Sequence, residues 1–470
     1  MLKSGFYLTF FNIVAALLGL VRNIAIARLV SVEDFGIAST FAIAMALIDM
    51  SANIGINRLI VQAKDGHSEE FQASLQGFQV VRGFFGGAFI LVLAHPLADL
   101  FHTPRAVWAY QAMALLPIMK SFAHLDMARY QREHRFVPGV ITETAAQAMS
   151  TLIAIMLGFW LRNYSAMLFA LMGQTATYLI ATQLFATRRY KIAWNPHYIN
   201  QAVRFGWPLL LNGMLVFCIF QGDRLIIGNE LGVTILGTYS LAYMFTLLPT
   251  GIIAKVIDTM CLPVLSRHQD DPEKFEKLAN MSIEIGCLVG VLLALGFTFV
   301  GGPLLHLLYG FKHAAATDVL VLLAVMQAMR MIKSGPTIVA VSKKKTTNPM
   351  FANIVRGLFV PLTLIAIKYG YDIEYVVCIA IFGELSSSTA SLLLLAQKIG
   401  VRAGKVLRTY ISTLAMLSLC LLYEFMYHGE AFAISHWFGA IIVLAFILYA
   451  LQLTELRTIV SRHLKCITMV

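Results

Sequence analysis

The chain has 470 residues, of which 59% are hydrophobic and only 13% charged, and its mean hydropathy is +0.74. Soluble domains carry about 25% charged residues, so the composition excludes a soluble enzyme and specifies an integral membrane protein. The formal net charge of +11 does not call for nucleic acid, because basic residues of membrane proteins gather in cytoplasmic loops.

Long apolar runs predict an all-α polytopic protein of about fourteen spans. In chain order they lie near 5–28, 36–61, 75–97, 108–123, 137–161, 165–186 and 206–228, then near 236–262, 281–301, 316–341, 350–369, 375–396, 409–427 and 437–453. Each is close to the ~20 residues that cross the hydrocarbon core. Short alternating segments, the mark of a barrel, are missing from this pattern. Lys3 precedes the first run with no small-residue cleavage site, so that span is expected to be retained.

The loops set an orientation. Lys3, Lys64, Arg129, Arg132, Arg135, Arg188, Arg189, Lys191 and Arg204 fall on one side, with the basic residues of 267–277, 343–345, 398–408 and the tail. The alternate loops hold only Arg28, Arg105, Arg162, Lys312 and Lys368, a division of 22 against 5. The positive-inside rule then places both termini in the cytoplasm. The outward loops are short, the longest near 302–315 and 428–436, and leave no room for an external catalytic domain.

Two stretches repeat about 201 residues apart: RNIAIARLVSVEDFGIAS from Arg22 and DRLIIGNELGVTILGTYS from Asp223. Gly36 falls opposite Gly237, Ser39 opposite Ser240, and Arg22 one place from Arg224. This predicts a six-helix lobe over 1–190, a second over 191–396, and an extra helix pair with a tail over 397–470. Repeats related by an axis along the membrane normal are a transporter signature, with the site between them near the midplane.

At these strings the chain resembles a known family. ARLVSVEDFGIAS with NIGINRLIVQ, and VRFGWPLLLNGMLVFCIFQGDRLIIGNELGVTILGTYSLAYMFTLLPTGII ending in LPVLSR, are similar to hairpins of bacterial oligosaccharide flippases. These belong to the multidrug/oligosaccharidyl-lipid/polysaccharide exporter superfamily. The resemblance runs through most of the first 280 residues and rests mainly on hydropathy after that. It implies a V-shaped pair of six-helix lobes, alternating access, and a polyprenyl-pyrophosphate-linked glycan as cargo. It also implies that Arg22, Arg58, Arg224 and Lys255 lie on cavity-lining spans. A polysaccharide polymerase and a chain-length regulator are the partners expected of such a pathway, with membrane lipids.

Nine basic residues fall within the predicted spans: Arg22, Arg58, Arg82, Lys120, Arg224, Lys255, Arg330, Lys333 and Arg356. Each would cost about 2.5–3.5 kcal/mol at the bilayer centre if it faced lipid. A pyrophosphate is a ligand that such cations could hold, arginine bidentately. Arg330 and Lys333 share a face by their spacing. Lys120 reads as an interfacial anchor, and Arg82 and Arg356 read equally as anchors or cavity residues. The candidate substrate-binding set is therefore Arg22, Arg58, Arg82, Arg224, Lys255, Arg330, Lys333 and Arg356.

The acids within spans are Asp49, Glu143, Asp223, Asp258, Glu284, Glu384 and Glu424. Structural pairing with the cations is the favoured role. Asp49 and Asp258 are the candidates for H+ or Na+ coupling, and Lys255 and Asp258 are spaced to pair. No other cofactor and no metal is expected. GVRAGK, from Gly400, is one residue short of a phosphate loop and lacks its Ser/Thr. A peptidoglycan lipid-precursor flippase fits the same features. A multidrug cation antiporter fits less well, since residues 1–32 hold no acid. A membrane glycosyltransferase would need an acidic motif on an outward loop.

Overall fold

A computed structural model describes residues 2–52, 55–343, 345, 347–399, 403–426, 436–453 and 455–456. Asn53, Lys344, Arg402, Arg457, Arg462, Lys465 and Cys466 lie outside the described residues. The described chain is all-α, with no strand, and divides into two compact units, Met1–Ser240 and Leu241–Val470.

The first unit contains α1 (Leu2–Leu29), α2 (Val32–Ala52), α3 (Ile56–Gln62), α4 (Glu69–Leu100), α5 (Val107–Met113), α6 (Leu115–Ser121), α7 (Asp126–Arg132), α8 (Val137–Leu161), α9 (Ser165–Phe185) and α10 (Pro196–Glu230). α11 (Val233–Arg267) begins in the first unit and continues into the second. The second unit then has α12 (Pro272–Gly296), α13 (Gly302–Tyr309), α14 (Leu320–Ser342), α15 (Thr347–Gly357), α16 (Val360–Lys368), α17 (Ile373–Ile399), α18 (Ala403–Met426) and α19 (His436–Gln452).

Local chemistry sets the helix ends. The Ser68 hydroxyl accepts from the Phe71 amide at the start of α4, where Glu69 and Glu70 sit in the first turn. Both features answer the orphan N–H groups and positive end of a helix. Asn195 caps α10 and Asp271 caps α12, each followed by proline at the first helical position. The Arg132 guanidinium lies within bonding distance of the Ile60, Val61 and Ala63 carbonyls, at the C-terminal end of α3.

Packing in each unit follows small residues. A Cβ on Gly158 of α8 would lie 2.8 Å from the Leu29 side chain of α1. A Cβ on Gly335 of α14 would lie 2.8 Å from Ile283 Cα of α12. Close backbone approach of this kind replaces the hydrophobic drive that lipid-embedded helices lack.

Among the described residues, ten helices are long and apolar enough to cross a membrane, making this a multi-pass membrane protein. The remaining predicted spans are helical but differ in form. The span at 36–61 is divided between α2 and α3, with Gly55 at positive φ. The span at 108–123 divides at Ala114. The span at 350–369, itself one of the ten, breaks at 358–359, and Pro361 occupies the first turn of α16, where its missing N–H costs nothing. It therefore marks a helix start. The span at 316–341 is one unbroken helix, α14, whose hydropathy Arg330 and Lys333 lower. Pro208 and Pro249 lie inside continuous helices.

Candidate functional site

In the second unit, three helices bring three cations onto one carboxylate. Arg330 and Lys333 come from α14, Arg356 from α15 and Glu384 from α17. Arg330 Nε donates to Glu384 Oε1 at 2.7 Å, and Arg356 Nε donates to the same oxygen at 3.1 Å. Lys333 Nζ donates to Glu384 Oε2 at 3.1 Å and to Ser387 Oγ at 3.3 Å. Arg330 also donates to the Tyr243 hydroxyl at 3.0 Å and to Gln327 Oε1 at 3.3 Å.

The cluster is graded in depth. The Arg356 side chain has no exposed surface and Glu384 has 2%, while Arg330 keeps 11% and Lys333 16%. Arg330 and Lys333 are thus the members a ligand can reach. Glu384 carries one negative charge and cannot neutralise three cations. Arg330 and Lys333 keep some exposed surface, so the arrangement has room to engage an additional anion. The residues present recommend a phosphate: two planar guanidinium groups and an ammonium at short range.

The other predicted residues lie elsewhere. Arg22 is half-buried and donates to Ser150 Oγ on α8 and Gln174 Oε1 on α9, each at 3.0 Å. Gln174 donates onward to Gln147, so Arg22 belongs to a polar network inside the first unit. Arg224 is 2% exposed. It donates to Ser240 Oγ at 3.0 Å, to the Ser39 carbonyl at 3.3 Å and to Gln221 at 2.9 Å. The repeat does not bring Arg22 and Arg224 to a common partner.

Arg224 sits where the two repeated hairpins meet within the first unit. Ser39 and Ser240 are the matched serines of the repeat. The matched glycines touch as well: a Cβ on Gly237 would lie 2.9 Å from Gly36 Cα. A Cβ on Gly36 would lie 1.8 Å from the Val233 carbonyl oxygen. Backbone approach this close leaves no room for any side chain, and this accounts for glycine at both positions.

Arg58 is exposed on α3, Arg82 is half-buried on α4, and Lys255 and Asp258 are exposed on α11. Among the described residues, Lys255 and Asp258 form no ion pair with each other. Asp49, which has no basic neighbour along its own helix, pairs in space with Lys120 at 2.5 Å. Lys120 is therefore more than an interfacial anchor. Among the described residues no group of His, Cys, Asp and Glu could hold a metal. Sequence reasoning did not single out Tyr243, Gln327 or Ser387. Their signal lies in the fold alone, since α11, α14 and α17 are far apart in sequence.

A second buried carboxylate was also missed. Asp126 opens α7, in a segment read only for its positive charge. It accepts from Arg129 Nε at 2.9 Å, Gln72 Nε2 at 3.0 Å, and the amides of Thr187 and Arg188 at 2.9 and 3.0 Å. Burial alone would raise its pKa, but these donors, Arg129 and the Arg188 amide foremost, hold it well below the usual carboxylate range.

Comparison with known proteins agrees with this architecture. The family described as "Polysaccharide biosynthesis protein" matches residues 25–318. The chain is 24% identical over 356 residues to the lipopolysaccharide biosynthesis protein WzxC of Escherichia coli strain K12, covering 74% of this chain and 71% of that one. Its fold is similar to a structure of the lipid II flippase MurJ in an inward closed conformation. The TM-score is 0.71 at 16% identity, over 98% of this chain and 99% of the other. It is also similar to an inward-facing multidrug resistance MATE transporter of the MOP superfamily, with a TM-score of 0.65 at 14% identity, over 84% and 96%. Likeness at this identity concerns the fold.

Proposed function

The chain belongs to the polysaccharide biosynthesis protein family, and from that premise we propose that it is a flippase for a polyprenyl-pyrophosphate-linked oligosaccharide. It moves the repeat unit from the cytoplasmic to the outer leaflet of the bacterial inner membrane. The product feeds assembly of a surface polysaccharide such as O-antigen, capsule or exopolysaccharide, with a polymerase and a chain-length regulator downstream. It is a transporter and not an enzyme, working by alternating access of two six-helix lobes with both termini in the cytoplasm.

One observation carries the reading: three cations share Glu384, so a buried site has more positive charge than its carboxylate can answer. A pyrophosphate brings further negative charge to these cations. Arg330 and Lys333, the reachable pair, hold the phosphate oxygens, while the polyprenyl tail remains in lipid. With the cell interior negative, outward movement of an anion is favoured by about 2.3 kcal/mol per charge per 100 mV. The potential can therefore drive the loaded step, and exchange of H+ or Na+ can reset the carrier. The fold likeness to a lipid II flippase suits a pyrophosphate-linked cargo without naming its sugar.

The test is complementation of a deletion strain. Arg330→Ala Lys333→Ala is expected to cut surface polymer at least about tenfold, a loss of ~1.4 kcal/mol or more in the transported state. Membrane abundance should hold, because Arg356 still pairs with Glu384. Wild-type polymer from the double variant would sink the reading.

A further inference from the structure

A second basic site lies in the first unit, away from the Glu384 cluster. It is a pocket open to solvent between the start of α4 and the segment that joins α9 to α10. Its walls are Glu69, Gln72, Ala73, Gln76, His124, Arg188, Arg189 and Lys191, three cations against one carboxylate.

The pocket is built and held. The segment carrying the cations is fixed by Asp126, which accepts from the Thr187 and Arg188 amides. It is fixed again by the Ala193 amide, which donates to the Ala73 carbonyl at 3.1 Å. Arg188 donates to Gln72 Oε1 at 2.8 Å and to the His67 carbonyl at 2.7 Å. Both acceptors are neutral, so its positive charge remains unanswered by them. Among the described residues, exposed Arg189 has no carboxylate at ion-pair distance. Only Lys191 is paired in this way, with Glu69 at the rim at 3.2 Å.

His124 points to a ligand independently. The residue is 4% exposed and lines the pocket. Its Nδ1 accepts from the Asp126 amide at 3.1 Å. Burial lowers its pKa, so the ring is neutral and its proton rests on Nε2. That Nε2 is buried and makes no hydrogen bond of good geometry, although the Arg188 backbone lies beside the ring. A buried donor so poorly answered is costly. An anion in the pocket would give it an acceptor.

We propose that this pocket binds a phosphate group, with Arg188 and Arg189 supplying charge and His124 Nε2–H a neutral donor. The phosphate can come from the headgroup of an anionic lipid or from solution. The site is separate from the transport reading and does not rest on it.

The experiment uses the full chain in phosphatidylcholine nanodiscs, titrated with inorganic pyrophosphate at fixed ionic strength. A parallel arm compares thermal midpoints in nanodiscs with and without phosphatidylglycerol, since a bound ligand stabilises the native state. Arg188→Gln Arg189→Gln is expected to weaken binding, or reduce the lipid-induced shift, about tenfold. Arg267→Gln Lys277→Gln removes the same charge elsewhere and is expected to change it less than about twofold.

His124→Asn keeps an acceptor for the Asp126 amide but loses the inward donor, and is expected to weaken binding several-fold. If Arg188→Gln Arg189→Gln accumulates poorly, Arg189→Gln alone, at an exposed position, carries the test. Pyrophosphate binding that Arg188→Gln Arg189→Gln weakens, and that Arg330→Ala Lys333→Ala does not, assigns free phosphate as a sufficient ligand. A shift with phosphatidylglycerol alone assigns the lipid headgroup. Binding in neither arm, or equal losses in the two double variants, overturns the proposal.

Discussion

Asp126 in the first unit and Glu384 in the second are both buried carboxylates held by arginine, yet their surroundings differ in kind. Asp126 meets one cation, one side-chain amide and two backbone amides. Its charge is balanced, its donors come mostly from neutral groups, and it ties α4, α7 and the segment after α9 together. Glu384 meets three cations and little else. A structural carboxylate needs only the first arrangement. The second gathers three cations on one carboxylate, the arrangement on which the proposed anion site rests.

The largest effect is expected at Glu384. Replacing it by Gln leaves Arg330, Lys333 and Arg356 without their shared counter-charge, a change of about 3–5 kcal/mol for a buried pair broken on one side. Abundance in membranes and the thermal midpoint in detergent should both fall steeply. Lys333→Met should behave oppositely and leave stability within about 1 kcal/mol, because Glu384 keeps both arginines and less charge is left over. If Lys333→Met destabilised the protein as much as Glu384→Gln, the cluster would be a balanced structural network like that of Asp126.

Asp126→Asn should cost less, about 1.5–3 kcal/mol, since one charged bond is lost and the remaining donors are neutral. Its effect should also depend on pH. Asp126 titrates well below its unfolded-state value, near 4. Its contribution is therefore complete above that value and is lost as pH falls toward the folded one. Thermal midpoints of wild type and variant should be well separated at neutral pH and should draw together progressively as pH falls below about 4. A gap that stayed constant on acidification would show that Asp126 stabilises through shape and not through charge.

The two clusters were not equally legible in the sequence. Hydropathy located the helices, because lipid imposes length and apolarity on any spanning segment. The one-turn spacing of Arg330 and Lys333 put them on one face of α14. Nothing in local spacing could bring Arg356 and Glu384 to them, since those contacts join helices distant in sequence. Arg224 illustrates the reverse. Its depth and its place in the repeat suggested a cavity, yet it is buried against Ser39 and Ser240, where hairpins meet at glycine. Asp126 went unseen because its partners are backbone amides and a glutamine, which leave no charge pattern to read.

The smallest effect is expected at Asp49, and it bears on which carboxylates are free to carry an ion. Asp49 shares with Asp126 a single basic partner, Lys120. Unlike Asp126 it is half exposed, at 51% of its side-chain surface, with Lys120 at 30%. Pairs this open contribute about 0–1 kcal/mol, so Asp49→Asn should leave the thermal midpoint nearly unchanged. A carboxylate already answered by a lysine gains less from a transported cation than Asp258, which has no ion pair with Lys255. Export by Asp49→Asn, and its response to a collapsed proton or sodium gradient, should therefore match wild type, whereas Asp258→Asn should blunt that response. If gradient dependence disappeared in Asp49→Asn at wild-type abundance, the Lys120 pair would have to open during transport, and Asp49 would be the coupling residue.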